Sequence, residues 1–240
     1  MTTSVAVVGS TGKLGSQLCQ LIRESDDFTL VAELRSTSDV SEVLAADIVV
    51  DVSLPQVSKS VIEFAVTHGK NILVGTSGWS RERIATLEPL FAAHPEVGVL
   101  FVPNFSLGST VAAHVATFLA EHFDSIEIVE THGLTKVDSP SGTAVATAEK
   151  IAAVRAGDVV APHAEQRARG ELIEGVPVHS LRMAGTLAKQ DVIFGGVGET
   201  VTISHLTSSN QSYAAGLMAS LRKTVGLTGV VVGLDKVLDL

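Results

Sequence analysis

The sequence holds a single cysteine, Cys19, among 240 residues. A lone thiol excludes an internal disulfide framework and a cysteine-rich zinc site, and it fits a reducing compartment, so the cytoplasm is the expected location. Positive charge is scarce as well: 17 Lys and Arg stand against 26 Asp and Glu, a formal charge of −9. A field of that sign disfavours long-range attraction to nucleic acid or to an anionic membrane, and neither is an expected partner. An anionic ligand would need a positive pocket built locally. No apolar run approaches the ~18 residues of a membrane span. The amino end shows no basic segment followed by a signal-type apolar stretch, because Val5 to Gly9 already reads as a strand entering a turn. Internal repeats and low-complexity linkers are missing too. His68, His94, His114 and His122 are scattered without metal-ligand spacing, so no metal is expected.

What is present is material for a core. With 45% of its residues hydrophobic, the chain can build one large domain or two modest ones. Short β-branched runs at Val5–Val8, Thr29–Leu34, Asp47–Val52, Asn71–Val74 and Val97–Val102 alternate with segments of helical period. That is the pattern of parallel strands joined by crossover helices. Val57, Val61, Phe64 and Ala65 place one apolar stripe on a helix from Pro55 to His68, with Pro55 suited to its first turn. The turn residues from Gly75 and the Pro103-Asn104 pair end two strands and belong at one edge of the sheet. After Asn104 the rhythm changes. A helix over Leu107–His122 leads to a strand over Ser125–Thr131, a loop and a helix, and then strand segments Val178–Met183, Asp191–Phe194 and Val201–Leu206. Ser212–Val225 returns to helical spacing, and the glycine-rich close of the chain carries no clear signal. The expected class is α/β, with a nucleotide-binding domain over residues 1–103 completed by 210–240, and an α+β domain over 104–209. Met183, Phe194 and the valines around Val192 and Val201 read as core, and Trp79 as a packing residue near a ligand or at the surface.

Gly9-Ser10-Thr11-Gly12-Lys13-Leu14-Gly15 follows a strand and opens a helix. In that context a glycine-rich loop lets backbone N–H groups approach a pyrophosphate, with the helix amino end adding partial positive charge and Lys13 a full one. The same glycines could make an ordinary tight turn, but the strand before and the helix after favour nucleotide binding. At the end of the second strand, Glu33 is followed by Arg35. An arginine there accommodates a 2′-phosphate, whereas an acid would select an unmodified ribose; Arg35 therefore favours NADPH, with NADH possible.

The segment from Glu130 to Ala144 is the richest in chemistry. It sets His132 and Lys136 beyond a strand, then runs through Pro140-Ser141-Gly142-Thr143 into a helix. Free N–H groups at Gly142 and Thr143, with the Ser141 and Thr143 hydroxyls, would make an anion cradle at that helix start, and Lys136 adds charge. An imidazole at position 132 can give or take a proton near neutrality. Singly, Ser141 reads as a helix cap and His132 as a packed strand residue. Jointly, in an acidic chain, they describe one basic corner for a small carboxylate or phosphate.

These residues resemble the bacterial dihydrodipicolinate reductase family, whose signature E-x-H-H-x-x-K-x-D-x-P-S-G-T-A is met from Glu130 to Ala144 at every fixed position but one. Val8–Gly15 resembles the family's nucleotide loop, Val74–Ser80 its V-G-T-T-G-F-[ST] segment and Val102–Gly108 its [AP]-N-F-S-x-G turn. Gly198 to His205 and the Val237–Leu240 ending are similar to its later segments, so the resemblance spans nearly the whole chain. It implies a Rossmann-like domain, a mixed-sheet domain for substrate binding and tetramer formation, and hinge closure. It implies NAD(P)H-dependent reduction of 4-hydroxy-tetrahydrodipicolinate or its dehydrated form, on the route to diaminopimelate and lysine. By position, His132 and Lys136 would be catalytic, with Ser141, Gly142 and Thr143 at the substrate. Gly9, Ser10, Thr11, Gly12, Lys13 and Leu14 would line the cofactor with Arg35, Gly75, Thr76, Ser77, Val102, Pro103, Asn104 and Phe105.

Two positions depart from the family pattern. Gly133 stands where the signature has a second histidine, and Asn210 where an arginine is usual. A hydrogen bond to a charged group is worth about 1.5–3 kcal/mol, so one lost contact would weaken binding by roughly ten- to a hundredfold. A paralogue that reduces a related cyclic imine or enamine with fewer carboxylates therefore stands beside the main reading, as does a nucleotide-binding protein without turnover.

Overall fold

The computed structural model describes residues 2–240. In chain order it begins with β1 (Thr3–Val8), α1 (Lys13–Arg23), β2 (Phe28–Leu34), a 3-10 turn over Val40–Ala45, β3 (Ile48–Asp51), α2 (Pro55–Thr67), β4 (Asn71–Val74), α3 (Arg81–Ala85), α4 (Glu88–Ala93) and β5 (Gly98–Phe101). Then come α5 (Leu107–Ala120), β6 (Ser125–His132), α6 (Gly142–Val154), a 3-10 turn over Arg167–Arg169, β7 (Glu171–Ile173), β8 (Val176–Arg182), β9 (Ala188–Gly196) and β10 (Glu199–Thr207). A 3-10 turn over Asn210–Tyr213 leads to α7 (Ala214–Thr224), β11 (Gly229–Val232) and α8 (Leu234–Val237). The chain divides into two compact units: the described residues up to Leu107 together with Tyr213–Leu240, and Gly108–Ser212.

The first unit is built on a six-stranded sheet in the order β11-β5-β4-β3-β1-β2. All its pairings are parallel. Strands β3 and β5 are buried at every residue, as continuous apolar runs must be when helices cover both faces of a parallel sheet. One face packs Val49, Ile72 and Phe101 against Val61, Ile62 and Ala65 of α2. The other packs Val7, Val50 and Leu100 against Leu18 and Ile22 of α1 and Leu217 and Leu221 of α7. The carboxyl ends of β1, β3, β4 and β5 share one sheet edge, which places the loops at Gly9, Ser53, Gly75 and Pro103 side by side.

The second unit has a five-stranded sheet, β10-β9-β6-β8-β7. Its β6–β8 pairing is parallel and the others are antiparallel, which makes the sheet mixed. Ile126 and Ile128 face Ala144, Ala148 and Ile151 of α6 and Ala116 and Ala120 of α5. Strand alternation sends Glu127, Val129 and Thr131 to the opposite face. There, Leu181, Thr131, Lys189 and Leu206 form one row across four strands, with Leu181 and Leu206 exposed.

Some sequence expectations are corrected. Met183 follows the end of β8 and is 51% exposed, so it is no core residue, whereas Phe194 and Val192 are buried as expected. The glycine-rich close contains β11, an edge strand paired only with β5. The helix expected from Ser212 starts at Ala214, after a 3-10 turn.

Candidate functional site

The glycine loop in the first unit is tighter than its sequence implies. Gly9 N and Ser10 N both donate to the Leu34 carbonyl, at 2.9 and 3.1 Å, and Gly12 N donates to the Gly9 carbonyl at 3.0 Å. The Ser10 hydroxyl, buried, also donates to Leu34 O. These groups fix the loop, so their amides are not available to a phosphate as the sequence reading supposed. Thr11, Gly12 and Lys13 are exposed at its tip. Gly12 is the N-cap of α1 and makes no side-chain cap, and the first turn holds no acid. The leading N–H groups of α1, from Lys13 and Leu14 onward, therefore keep their affinity for an anion. Gly9 has φ +90°, and a Cβ at Gly15 would lie 2.1 Å from the Gly9 carbonyl oxygen, so only glycine lets the helix approach this turn. The geometry fits a dinucleotide pyrophosphate.

At the end of β2, Glu33 is ion-paired with Arg23. That leaves Arg35 as an exposed cation at the strand end, with its backbone held in a turn by Ser38. The β4 loop is organised by a carboxylate that the sequence reading missed. Asp51, fully buried, accepts from Ser53 N at 3.1 Å, from the Ser53 and Ser58 hydroxyls, and from Thr76 Oγ1 at 2.9 Å. Thr76 thus serves the loop from inside, and Gly75 and Ser77 are its outer members. Trp79 donates to the Ser58 hydroxyl at 2.9 Å and lies beside Phe101, which places it in the packing of this unit. Val102 and Phe105 are core residues; the Phe105 ring occupies the space a Cβ on Gly75 would need. Of the four residues expected here, Pro103 and Asn104 are the ones that reach the surface. An acid closing a buried Ile-Val-Val strand was the signal for Asp51.

In the second unit, each of the two expected catalytic residues is held by a carboxylate. His132, at the end of β6, places Nδ1 2.5 Å from Glu130 Oε2. Lys136 Nζ lies 2.8 Å from Asp138 Oδ1. Lys136 N also donates to the Gly133 carbonyl at 3.2 Å, closing a turn directly after the strand. Hydrogen bonding from Lys136, with help from the Gly142 N–H, holds the Asp138 carboxyl below its ordinary range. Burial alone would raise the Glu130 carboxyl, but hydrogen bonds from Arg182 and His132 outweigh it and keep it below its ordinary value. Helix α6 then starts at Gly142. Ser141, the N-cap, is buried, with its Oγ accepting from Ala144 N at 3.2 Å. Ser141 is therefore the cap, and the open part of the cradle is Gly142, exposed, with Thr143. Gly133 stands at a tight spot, since a Cβ there would lie 3.1 Å from the Thr186 carbonyl oxygen. Asn210 opens the 3-10 turn before α7. The sequence reading also missed Arg182, which the β6–β8 register sets directly opposite His132.

Reduction by a nicotinamide needs a sheet edge that receives the pyrophosphate and a proton source the cofactor does not provide. This chain carries candidates for both, and it is an oxidoreductase of the Rossmann type. Residues 3–105 match the amino-terminal part of dihydrodipicolinate reductase and residues 106–238 its carboxyl-terminal part. The chain belongs to the dihydrodipicolinate reductase family. It is 54% identical over 242 residues to the 4-hydroxy-tetrahydrodipicolinate reductase of Clavibacter sepedonicus, covering 100% of this chain and 87% of that one. The enzyme of the same name from Cutibacterium acnes is 41% identical, with 98% of each chain covered. Among solved structures, the dipicolinate-bound dihydrodipicolinate reductase of Paenisporosarcina sp. TG-14 superposes with a TM-score of 0.83 at 25% identity, covering 98% of this chain and 99% of that one. Among the described residues no helix is long and apolar enough to cross a membrane.

Proposed function

We propose that this chain reduces 4-hydroxy-tetrahydrodipicolinate, or its dehydrated form, to tetrahydrodipicolinate with NAD(P)H, as a cytoplasmic step toward diaminopimelate and lysine. The observation that carries the reading is the corner between His132 and Thr143, where an imidazole and an ammonium, each on its own carboxylate, precede an open helix start. Bound reduced nicotinamide would supply a hydride to one ring carbon of the substrate. The chain's task is then to hold the substrate's carboxylate and deliver a proton to the neighbouring carbon. Gly142 and Thr143 N–H groups would hold the carboxylate. Lys136, exchanging Asp138 for the substrate, would neutralise it. Once the 4-hydroxy compound has lost its hydroxyl as water, leaving the dehydrated form, His132 or Lys136 would give the proton, completing addition of hydride and proton across the carbon–carbon double bond.

Following NADPH absorbance with this substrate tests the reading. Turnover is expected, and tight cofactor binding without any turnover would reject it. His132→Ala and Lys136→Ala should each lower kcat by about 10²- to 10⁴-fold, the range for a lost acid–base group, while cofactor affinity stays put. That outcome would also dispose of a nucleotide-binding protein without turnover. A specific observation supports one further reading: Gly133 brings no side chain to the place where the family signature has histidine, so a cyclic imine or enamine with fewer carboxylates could be the substrate. Comparing mono- and dicarboxylate imines separates the two, and a strong dicarboxylate preference removes the second.

NADPH is the proposed cofactor, because Glu33 is occupied by Arg23 and Arg35 remains for a 2′-phosphate. The ratio of kcat/KM for NADPH and NADH should fall toward one in Arg35→Ala; an unchanged ratio would take Arg35 out of cofactor choice. A homotetramer is proposed from family membership, with the sheet face that exposes Leu181 and Leu206 as the surface to bury, and sedimentation velocity decides it.

A further inference from the structure

Glu130 is fully buried, and a buried charge persists only when its environment replaces the water it has lost. Four donors do so here. Arg182 gives two, its terminal nitrogens lying 2.9 Å from Oε1 and 3.0 Å from Oε2, the forked pairing that a guanidinium makes with a carboxylate. The Ser141 backbone N–H gives a third, at 3.2 Å to Oε1. His132 Nδ1 is the fourth, at 2.5 Å to Oε2. Every one of these contacts leads to a part of the site. The Ser141 N–H belongs to the N-cap of α6, the helix whose start forms the anion cradle. Arg182 also donates to the Asp138 carbonyl at 2.6 Å, and the Asp138 side chain holds Lys136. The charged groups paired with or linked to the imidazole are thus Glu130 on its own strand, Arg182 from β8 and, through Arg182, Asp138 and Lys136 from the following turn; β9 sets Ala188 opposite His132.

An ionised carboxylate can only accept hydrogen bonds, so the hydrogen between Glu130 and His132 must reside on Nδ1. In the neutral ring, Nε2 is then left as the acceptor, and in the charged ring it is the atom that gives its proton away. We propose that Glu130 and Arg182 are positioning residues of this site: Glu130 fixes His132 in the Nδ1–H tautomer with Nε2 as the proton-transferring atom, and Arg182 fixes both Glu130 and the turn that carries Lys136. The idea deepens the reading of His132 as a proton-transfer group and rests on it. Arg182 is committed to this structural pairing and is not a substitute for the missing histidine at position 133.

The test uses the full chain with ¹⁵N-labelled histidine, the His132 signals being assigned by their loss in His132→Asn. Without any substrate present, the neutral wild-type ring should show a protonated Nδ1 and a bare Nε2. In Glu130→Gln the amide can present either oxygen or nitrogen, so a tautomer mixture is expected, with kcat down at least ~tenfold, as when a histidine's orienting carboxylate is neutralised elsewhere. The KM for NADPH should stay within about twofold, which loss of overall packing would not allow. Should Glu130→Gln fail to fold, Arg182→Lys keeps the charge and loses the fork; it should retain the Nδ1–H tautomer yet raise the substrate KM, because the Lys136 turn loosens. A folded Glu130→Gln with an unchanged tautomer and wild-type kcat would overturn the proposal, and so would an Arg182→Lys variant with wild-type kinetics. Because the tautomer is read without turnover, its failure is distinguishable from failure of the proposed reaction, which full activity in His132→Asn would show.

Discussion

A Cβ at position 133 would start 3.1 Å from the Thr186 carbonyl oxygen, tighter than ordinary contact yet short of a hard clash. Gly133→Ala should therefore fold and turn over, losing about 1 kcal/mol in a denaturant titration, the low end for an overpacked site. A loss above ~3 kcal/mol would mean that the Thr186 backbone cannot shift. The single cysteine gives a second residue-scale prediction. Cys19 is buried, and desolvation pushes its thiol up to about 11. It should resist alkylation at neutral pH until the first unit opens, with saturating NADPH slowing the reaction further. His132, Lys136 and Gly142 were legible because their chemistry is compressed into one short stretch of chain. Glu130 lay in the same stretch, but its importance was hidden, since its fork partner Arg182 stands 52 positions away and only the β6–β8 pairing brings it back. Asp51 was hidden likewise, its donors Ser58 and Thr76 lying in helix α2 and in the loop after β4.

Two helix starts carry most of the proposed site residues, and they differ in kind. Helix α1 has a glycine N-cap without a side-chain bond, so its leading amides stay free, while α6 is capped by Ser141. Ser141→Ala should cost about 1 kcal/mol of thermal stability, as lost caps do, and should raise the substrate KM more than that for NADPH. An equal rise in both would argue against separate sites for the two ligands. Gly15→Ala would force a Cβ to within 2.1 Å of the Gly9 carbonyl oxygen. It should abolish cofactor binding measured by calorimetry, because α1 can no longer approach the turn. Strands β1, β3, β4 and β5 were readable because covered parallel strands are continuous apolar runs, and β2, at the sheet edge, because its burial alternates. β11 was not, since four residues at a sheet edge gain their identity from partners. Asn71 accepts from Gly98 N and donates to Thr224 O and Leu227 O, and Gly229 N reaches Val97 O, contacts that no local pattern announces.

For the molecule as a whole, acid sensitivity follows from its carboxylates. The Glu130 carboxyl sits below 4.5 in the folded chain. A lowered value means that its contribution to stability is complete above the unfolded value of about 4.5 and is lost as pH falls through the folded one. Denaturant midpoints should be flat from pH 7 toward 5 and drop below about pH 4.5. In a folded Glu130→Gln the drop should be shallower, and a slope equal to wild type would show that other carboxylates govern it. The reaction itself is the other property of the whole chain. The most direct measurement is reduction of 4-hydroxy-tetrahydrodipicolinate with NADPH deuterated at the nicotinamide carbon, the product being read by NMR. One deuterium on a ring carbon, with His132→Ala and Lys136→Ala both failing to deliver it at a comparable rate, is the expected result. Cofactor bound but no label transferred, or transfer undiminished in both variants, would contradict it.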